Sequence, residues 1–251
     1  MIPDDYVVEP EHFLRYLRDV LKVKPSAARL PPRLILVFGS QDLDAFRRLL
    51  HARPVRWYGR LFVGQAGGHR VSVLRCAIGA PATVIALEEM RACGVCEVIT
   101  FGACGSLVPD LPIGAPVVPT RAYSDEGTSR DYGTARWIRP DAGMVARLRK
   151  ACRRRGVEFR EGGAWTTDAP YREGRRKARS LARRGVVAVD MEASAVYTVA
   201  RVRKMRAASL FVVSDELGGD EWNAGFRHAA FLAGKRRAYP AVMDAITRDW
   251  R

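Results

Sequence analysis

Four short polar segments follow apolar runs in this sequence, and each contains residues suited to binding or to acid–base chemistry. They span residues 39–44, 102–105, 190–192 and 214–216. Each apolar run is typical of a buried strand, and in open α/β sheets ligands bind beyond the carboxyl ends of the strands. A single carboxylate after a strand is often only a helix cap. Four such segments together predict a pocket with carboxylate side chains and a glycine-rich backbone.

Other common kinds of chemical site are missing from the sequence. It contains no GxGxxG dinucleotide fingerprint, no phosphate-binding P-loop, no GxSxG nucleophile motif and no HExxH motif. The four histidines are widely separated, and the CxxC pair Cys93 and Cys96 has no second pair, which argues against a zinc site. We therefore expect neither a metal nor a cofactor.

The alternation of apolar and polar segments indicates an α/β protein with a central, largely parallel or mixed sheet. The expected strands are residues 34–38, 61–64, 70–75, 95–101, 115–119, 186–189 and 207–213, and the expected helices are residues 42–50, 81–91, 142–155, 192–203 and 224–247. A glycine-rich turn is expected at residues 102–105. Residues 31–251 form one domain in this interpretation, and residues 1–30 form an N-terminal extension with helical character.

The chain has 251 residues and a formal net charge of +15, because 42 Lys and Arg outnumber 27 Asp and Glu. Such a charge is compatible with nucleic-acid binding, but the arginines are spread over several predicted helices with few aromatic residues between them. We therefore expect a solvated basic surface and no nucleic-acid partner. No apolar run reaches the roughly 20 residues of a membrane span, and the acidic first segment is unlike a signal peptide. With an odd number of cysteines, five, this predicts a cytoplasmic protein with reduced thiols.

Several motifs, in their order along the chain, resemble the nucleoside phosphorylase/nucleosidase superfamily. They are VITFGACGSL at residues 98–107, IGAPVV at 113–118, SDEGTS at 124–129, DMEAS at 190–194 and SD at 214–215. The resemblance covers residues 34–248 and is closest to the uridine-phosphorylase-like branch. It implies a single-domain, three-layer fold, with a mixed central sheet partly closed into a barrel and flanked by helices. It also implies a homo-oligomer, a dimer or a hexamer, that cleaves the bond between a ribose and a base.

The same resemblance assigns roles to the acidic segments. Glu192 stands in the family's ribose-hydroxyl position, and Met191 would pack against the sugar or the base. Breaking the bond builds positive charge on the sugar, which a nearby carboxylate stabilises. A leaving purine also needs a proton, which a carboxylic acid with a raised pKa can supply. Asp215 stands in that position and would also bind the base.

The expected nucleophile pocket departs from the pattern of the family's phosphorylases. Leu43 and Thr100 replace two arginines that bind phosphate, and Ala103 replaces a hydroxyl residue. Because charge-assisted pairs are the strong part of phosphate recognition, these losses together should weaken phosphate binding greatly. The pocket itself is expected to comprise Gly39, Ser40, Thr100, Gly102 and Ala103.

Two explanations of this departure are open. The nucleophile is water, as in the family's nucleosidases, and Asp44 stands in the acidic position that would orient it as a general base. Alternatively, Arg56 or Arg60 completes a phosphate site from a neighbouring subunit. We favour water, because one transplanted arginine does not replace three contacts.

The base is open between a purine and uracil. Asp215 favours a purine, because uracil lacks the nitrogen that this acid would protonate, whereas the branch resemblance favours uracil. The Gln and Arg that uridine phosphorylases use are not both present, since Gly174 and Arg176 stand in those positions. Arg227 or His228 would orient Asp215 or bind the 5′ end of the substrate. The stacking residues are expected to be Trp165, Tyr171 and Phe226.

Two wider alternatives also follow from the sequence. The basic tract at residues 171–184 could accept an anionic 5′ group, which would suit a 5′-substituted nucleoside or a nucleotide. The lost phosphate arginines and the +15 charge also suit a non-catalytic ligand-binding or nucleic-acid-binding protein with the same fold.

Overall fold

The structure is a computed structural model, and it describes residues 6–133, 135–219 and 221–248. Within these residues, eleven strands form one mixed sheet. The strands are β1 (Arg33–Val37), β2 (Arg53–Pro54), β3 (Leu61–Ala66), β4 (His69–Arg75), β5 (Glu97–Ser106), β6 (Pro116–Asp125), β7 (Trp137–Ile138), β8 (Arg160–Thr167), β9 (Val186–Asp190), β10 (Arg206–Glu216) and β11 (Asn223–Ala224).

Nine helices flank the sheet in the described part of the chain. They are α1 (Pro10–Asp19), α2 (Pro25–Ala28), α3 (Ser40–Leu49), α4 (Ala80–Ala92), α5 (Thr128–Asp131), α6 (Ala142–Arg154), α7 (Arg175–Ala182), α8 (Ala193–Val202) and α9 (Ala229–Thr247), with a 3₁₀ turn at Pro170–Arg172. The expected α/β class is therefore confirmed.

Five strands close into a barrel. β10 pairs with both β5 and β6, β6 pairs with β8, β8 with β9, and β9 returns to β5. From β5 the sheet continues as an open layer through β1, β4, β3 and β2. The expectation of a mixed sheet partly closed into a barrel is confirmed.

The sheet separates two apolar cores, which gives the protein its three layers. Side chains alternate between the two faces of a strand: in β1, Leu34 and Leu36 pack with α1, α4 and α8, whereas Ile35 and Val37 pack with α3, α6 and α9. A smaller third cluster lies under α7. The continuous apolar pattern of β1 follows from this burial on both faces.

The predicted glycine-rich turn at residues 102–105 is wrong, because β5 continues through all four residues. These glycines allow close approach of neighbouring groups and do not form a turn. A Cβ at Gly102 would lie 3.0 Å from the Phe38 ring, and a Cβ at Gly105 would lie 2.3 Å from Leu217 Cδ1.

β8 is a strand that the sequence pattern did not predict. Its glycines lower the intrinsic strand propensity of the segment, but they are required by the neighbouring strand. A Cβ at Gly162 would lie 2.6 Å from both methyl groups of Val187 in β9. The predicted start of the last helix was also early, since residues 223 and 224 pair with β10 and α9 begins at Ala229.

The described part of the N-terminal extension contains two helices. α1 packs on α4, with Leu17 buried and the Phe13 ring 6.2 Å from the Tyr58 ring. Trp57 Nε1 donates a hydrogen bond of 3.0 Å to the carbonyl of Ala27. The first five residues of the expected extension lie outside the described residues, and the domain boundary at residue 31 stays a prediction.

Candidate active site

Two of the acidic segments, residues 190–192 and 214–216, approach the end of β5. Gly105 is the register partner of Asp215 in β10 and also of Val189 in β9, the residue immediately before Asp190. Burial raises the pKa of the Cys104 thiol well above its usual value, and the charges of Asp190 and Asp215 raise it further. Both carboxylates therefore lie close to one side chain. The structure brings together the strand ends that the sequence placed in one pocket.

Glu192 is buried at the start of α8. Its exposed fraction is 6%, and its carboxylate Oε1 accepts a hydrogen bond of 2.7 Å from the backbone N–H of Gly79. Burial raises the pKa of Glu192, and the nearby charge of Asp190 raises it further. A carboxyl that holds a proton can both donate to and accept from sugar hydroxyls. Met191, beside it, is half-buried.

A hydrogen-bond network holds the backbone around Glu192. Asp190 Oδ2 accepts from the Glu192 N–H at 2.9 Å, and Asp190 Oδ1 accepts from the Thr166 hydroxyl at 2.8 Å. Thr166 Oγ1 accepts from the Ser194 N–H at 3.0 Å, and the Ser194 hydroxyl donates to Glu126 at 2.8 Å. The first turn of α8 is thus tied to β8 and to the end of β6. Sequence analysis did not identify Thr166 or Glu126 as supporting residues.

Glu126 is a buried carboxylate that accepts hydrogen bonds from three serines. The Ser124 and Ser194 hydroxyls each donate at 2.8 Å, and the Ser129 N–H donates at 2.9 Å. Burial alone would raise the pKa of Glu126, but the hydrogen bonds from Ser129, Ser194 and Ser124 lower it below its usual value. Glu126 is therefore a stable anion that anchors α8.

Both carboxylate oxygens of Asp215 accept hydrogen bonds. The Ser214 hydroxyl donates to Oδ1 at 2.6 Å, and the indole Nε1 of Trp222 donates to Oδ2 at 2.9 Å. These two donors hold the Asp215 side chain in place. Trp222 was not identified from the sequence, because it lies in an irregular segment without a motif. Among the described residues, Trp222 rather than Arg227 or His228 has the orienting contact with Asp215.

His228 and Arg227 lie at the start of α9. His228 is the N-cap residue of this helix, and its Nδ1 accepts from the Ala230 N–H at 3.3 Å. Arg227 is exposed. A role for either residue at the 5′ end of a substrate stays a prediction.

A second carboxyl group with a raised pKa precedes α7. Glu173 follows the 3₁₀ turn after β8 and is half-buried. Burial raises the pKa of Glu173 to about 7, and the charge of Asp215 contributes to the same shift. Sequence analysis missed this residue because it lies within a basic tract and follows no strand directly.

A cavity of about 280 Å³ lies near this end of the barrel, and neither Glu173 nor Asp215 lines it. It lies between α7 and the chain that follows β10, and its lining includes the apolar side chains of Leu107, Ala178 and Leu217. Glu173 precedes α7 by two residues, and Leu217 follows Asp215 by two residues. The cavity is therefore lined by residues that follow Asp215 closely in the chain.

The Thr100 side chain does not face an open nucleophile pocket. Thr100 is buried, and its hydroxyl donates a hydrogen bond of 2.6 Å to Ser209 Oγ, which also accepts from the Tyr197 hydroxyl at 2.8 Å. Thr100 thus belongs to a buried chain of hydroxyl groups between β5, β10 and α8. An arginine at this position would have to displace that chain.

The other expected pocket residues offer backbone or small apolar groups. Ala103 is exposed, whereas Gly102 is covered by the half-buried Phe38 ring. Leu43 is buried in the apolar core between the sheet and helices α3, α6 and α9. Gly39 and Ser40 form the start of α3, with Ser40 exposed.

The two aspartates of α3 have different environments. Asp42 is buried, and it pairs with Lys235 Nζ at 2.7 Å and accepts from the Tyr239 hydroxyl at 2.8 Å. Asp44, the expected general base, is half-exposed and lies 4.0 Å from Arg47. Its role stays a prediction, because the contact that the structure shows for Asp44 is this exposed ion pair.

Arg56 and Arg60, the alternative phosphate ligands, lie between β2 and β3. Both are exposed. Arg60 has a left-handed backbone with φ of 65°, and its carbonyl accepts from the Arg75 N–H at 3.1 Å. Their exposure is compatible with a role at a neighbouring subunit, which stays a prediction.

The three expected stacking residues occupy different environments. Trp165 is a core residue with an exposed fraction of 1%, and its Nε1 donates to Asp125 Oδ2 at 3.0 Å. Its ring therefore has no open face for a base, contrary to the expectation. Tyr171 is 99% exposed and packs against nothing in the site. Phe226 is half-exposed, with its ring 6.3 Å from the Trp222 ring.

Two kinds of feature are absent from the described residues. No group of three or more His, Cys, Asp or Glu side chains within residues 6–133, 135–219 and 221–248 could hold a metal ion. In the same residues, no helix has the length and apolar character needed to cross a membrane.

Comparison with known sequences assigns the chain to a family. The model of the Phosphorylase superfamily matches residues 32–246. A DeoD-type purine nucleoside phosphorylase of Brevibacillus brevis is 32% identical over 174 residues, which cover 68% of this chain and 74% of that protein. A guanosine phosphorylase of Halorubrum lacusprofundi is 30% identical over 151 residues, 60% of this chain and 63% of that protein.

Solved structures show the same fold. The purine nucleoside phosphorylase of Toxoplasma gondii, in complex with immucillin-H, superimposes with a TM-score of 0.78 at 20% identity, covering 90% of this chain and 94% of that chain. The uridine phosphorylase of Vibrio fischeri gives a TM-score of 0.77 at 22% identity, covering 89% and 95%. The chain belongs to the phosphorylase superfamily, as the sequence motifs implied.

Proposed function

We propose that this protein is an enzyme that cleaves the N-glycosidic bond of a purine-type nucleoside. The observation that carries the proposal is the register of Gly105, which has Asp215 on one side and the Val189–Asp190 strand end on the other. This register brings the end of β9, two residues before Glu192, to the same β5 residue as Asp215, which supports a shared site for the two carboxyls. The named relatives, which include purine nucleoside and guanosine phosphorylases, support the same substrate class.

The proposed chemistry uses the two acidic segments in different roles. Glu192 binds the ribose hydroxyls, and it becomes a stronger electrostatic partner as positive charge develops on the sugar. The bond between C1′ and the base nitrogen breaks, and its electron pair moves into the base. Asp215 delivers a proton to the imidazole-ring nitrogen of the purine, so that the base leaves as a neutral molecule.

We propose water as the nucleophile that attacks C1′. Four observations favour water: Thr100 is engaged in a core hydroxyl chain, Leu43 is buried among apolar side chains, Phe38 covers Gly102, and Ala103 lacks a hydroxyl group. Phosphorolysis is the alternative, since the printed names of the relatives are those of phosphorylases. It would need cations such as Arg56 or Arg60, supplied by a neighbouring subunit.

A purine is favoured over uracil by the carboxylate at position 215, because uracil has no ring nitrogen to protonate there. A 5′-substituted nucleoside or a nucleotide stays within the proposal, because the segment that contains α7 is rich in exposed arginine. We also expect a homo-oligomer in the cytoplasm with no nucleic-acid partner, which stays a prediction.

The deciding experiment is a panel of nucleosides and their 5′-monophosphates, assayed with and without inorganic phosphate. Chromatography would separate free base, free ribose and ribose 1-phosphate. We expect release of a purine base and free ribose without phosphate. Ribose 1-phosphate that forms only with phosphate would overturn the choice of water.

Two test variants and one control variant belong to the same assay. Glu192→Ala and Asp215→Asn should each lose most turnover while keeping the wild-type circular dichroism spectrum. The control Glu158→Gln changes an exposed residue and should keep both the turnover and the spectrum of the wild type. If the wild type releases no base from any member of the panel, the protein is not this enzyme. Salt-sensitive binding to heparin or DNA would then favour the non-catalytic alternative.

A further inference from the structure

We propose that Glu126 is a positioning residue for Glu192 and that it acts through Ser194 in the first turn of α8. This inference rests on the proposed function and names a further residue of the same site. Glu126 does not contact the sugar in this proposal. It fixes the backbone that carries the ribose-binding carboxyl group.

The first observation is that Glu192 does not cap its own helix. It is the N-cap residue of α8, but its side chain makes no capping hydrogen bond, and its carboxylate accepts from Gly79 instead. The N–H groups at the start of a helix then need other acceptors. Asp190 Oδ2 accepts from the N–H groups of Glu192 and Ala193. The Glu192 carboxylate can therefore serve the site because its neighbours satisfy the start of the helix.

The second observation is that Ser194 is held through both of its donors. Its N–H donates to Thr166 Oγ1 at 3.0 Å, and its hydroxyl donates to Glu126 Oε1 at 2.8 Å. The Thr166 hydroxyl in turn donates to Asp190 Oδ1 at 2.8 Å. The four side chains are buried, and buried polar groups depend on the partners that the fold supplies. They therefore form one connected unit with the backbone of Glu192.

The third observation concerns the charge at the start of α8. Its first turn contains no acidic residue, although a negative charge is favourable at the positive end of a helix dipole. Glu126 supplies such a charge from the segment that follows β6. Burial would raise the pKa of Glu126, but hydrogen bonds from three serines lower it below its usual value. An ionised carboxylate is a stronger acceptor than a neutral group, so Glu126 holds the Ser194 hydroxyl firmly.

The fourth observation is that Glu126 is itself fixed to the neighbouring helices. Its Oε2 accepts from the Ser129 N–H in α5 at 2.9 Å. Directly after α5, the Tyr132 hydroxyl donates to Glu88 in α4 at 2.9 Å, and Glu88 pairs at 2.7 Å with Arg203, which follows α8. The start of α8 is thus held by Glu126 and its far end by Glu88. Loosening of the first contact would act on the end of the helix that carries Glu192.

The test compares inosine, or the purine nucleoside that the panel identifies, with its 2′,3′-dideoxy analogue. The two compounds have the same base, and the analogue lacks the hydroxyls that Glu192 is proposed to bind. A displacement of about 1 Å in a binding group can cost about 10²-fold in rate. Displacement of Glu192 should therefore slow the ribonucleoside and spare the analogue. A residue that merely supports the fold is needed equally for both.

Two serines form a matched pair of variants. Ser194→Ala and Ser124→Ala each remove a hydroxyl that donates to the same atom, Glu126 Oε1, at the same distance of 2.8 Å. Of the two, Ser194 lies in α8. For Ser194→Ala we expect kcat/KM for the ribonucleoside to fall by about 10-fold or more, with the dideoxy analogue within about threefold of the wild type. Ser124→Ala should leave both substrates within about threefold.

Glu126→Gln tests the acceptor itself. The amide keeps the size of the side chain but replaces one carboxylate oxygen with a donor group, so it cannot accept from all three serines. We expect a selective loss at least as large as that of Ser194→Ala, and Glu126→Asp should recover part of it. Where the dideoxy analogue turns over too slowly, its inhibition constant against the ribonucleoside measures its affinity, which should stay unchanged.

A double variant shows whether the effect passes through Glu192. In a Glu192→Gln background, Ser194→Ala should lower kcat/KM for the ribonucleoside by less than about threefold, because changes that act through one group are not additive. In the wild-type background the same serine change should cost about 10-fold or more.

Three results would overturn the inference while leaving the proposed function in place. They are an equal loss of both substrates in Ser194→Ala, an equal loss of the ribonucleoside in Ser194→Ala and Ser124→Ala, and wild-type kcat/KM in both Ser194→Ala and Glu126→Gln. Failure of the wild type to release a base from any purine nucleoside would instead overturn the proposed function itself.

Discussion

The carboxylate of Glu192 accepts a hydrogen bond of 2.7 Å from the backbone N–H of Gly79, a residue 113 positions earlier in the chain. Gly79 is the N-cap residue of α4, and Glu192 is the N-cap residue of α8. Two helices of the same layer therefore begin at residues that this hydrogen bond joins, and its acceptor is the proposed ribose-binding carboxylate. Changes at either residue should affect both stability and binding.

Glu192→Gln should make the protein more stable at alkaline pH while it lowers activity. The pKa of Glu192 is raised in the folded state, so folding favours the protonated form. The unfolded chain loses that proton above a pH of about 4.3, and wild-type stability therefore falls as pH rises toward the raised pKa. Glutamine has no such titration and can still accept from Gly79.

The free energy of unfolding, measured with urea at pH 5, 7 and 9, checks this prediction. The variant should exceed the wild type at pH 9 by about 1.4 kcal/mol or more, the value of a one-unit pKa shift. The difference should shrink toward pH 5. Equal pH dependence in the two proteins would contradict the prediction.

Gly79→Ala should weaken the same contact through the backbone. Gly79 has φ of 108°, which disfavours any side chain, although a Cβ there would lie 4.0 Å from its nearest neighbour. The expected cost is about 1–3 kcal/mol of stability from backbone strain alone. Relaxation of that strain would move the N–H away from Glu192, so the KM for the nucleoside should rise.

Gly68→Ala provides a matched control for this effect. Gly68 has φ of 79° in the turn between β3 and β4, with nothing within 4 Å of a Cβ. It should lose a similar stability without a change in KM. Equal KM values in Gly79→Ala and Gly68→Ala would show that the contact does not position Glu192.

Trp222→Phe should reduce turnover without removing the aromatic ring. The indole N–H of Trp222 donates to Asp215, and a hydrogen bond to a charged group contributes about 1.5–3 kcal/mol. We expect kcat/KM to fall by about 10- to 100-fold. Trp137→Phe, in the half-buried β7, removes an indole elsewhere and should keep the wild-type value. Equal kcat/KM in both variants would exclude the orienting role.

Lys235→Met should destabilise the protein strongly. Lys235 pairs with Asp42 at 2.7 Å, and their side chains are 9% and 3% exposed. Removing one member of a buried pair leaves an uncompensated charge, which typically costs about 3–5 kcal/mol. Chemical unfolding would measure the loss, and the exposed Lys24→Met serves as the control. A change below about 1 kcal/mol would show that the pair is solvated.

The alternation of strands and helices was predictable, because burial on both faces of β1 leaves a continuous apolar run. Whether an individual glycine lies in a turn or in a strand was not predictable. Gly102 and Gly105 read as a turn in sequence, but each is a strand residue next to a large neighbour. Gly162 in β8 has the same explanation. Such close contacts between segments far apart in sequence leave no local pattern.

The site residues that directly follow strands were predictable, and those that lie in loops were not. Glu192 and Asp215 come directly after apolar runs, so the approach of their two strand ends followed from the topology of the sheet. Trp222 lies in an irregular segment, and only the three-dimensional path of that segment brings its indole to Asp215. Trp165 shows the opposite case, since an aromatic residue near the site proved to be core.

The short strands at the edges of the sheet limit what it presents to other chains. In the described residues its terminal strands β2 and β11, and the side strand β7, are each two residues long, and β2 contains Arg53 and Pro54. Short edges with a charge and a proline give another polypeptide little backbone to pair with. Association between copies would therefore have to use side-chain surfaces, and cross-β aggregation has few places to begin.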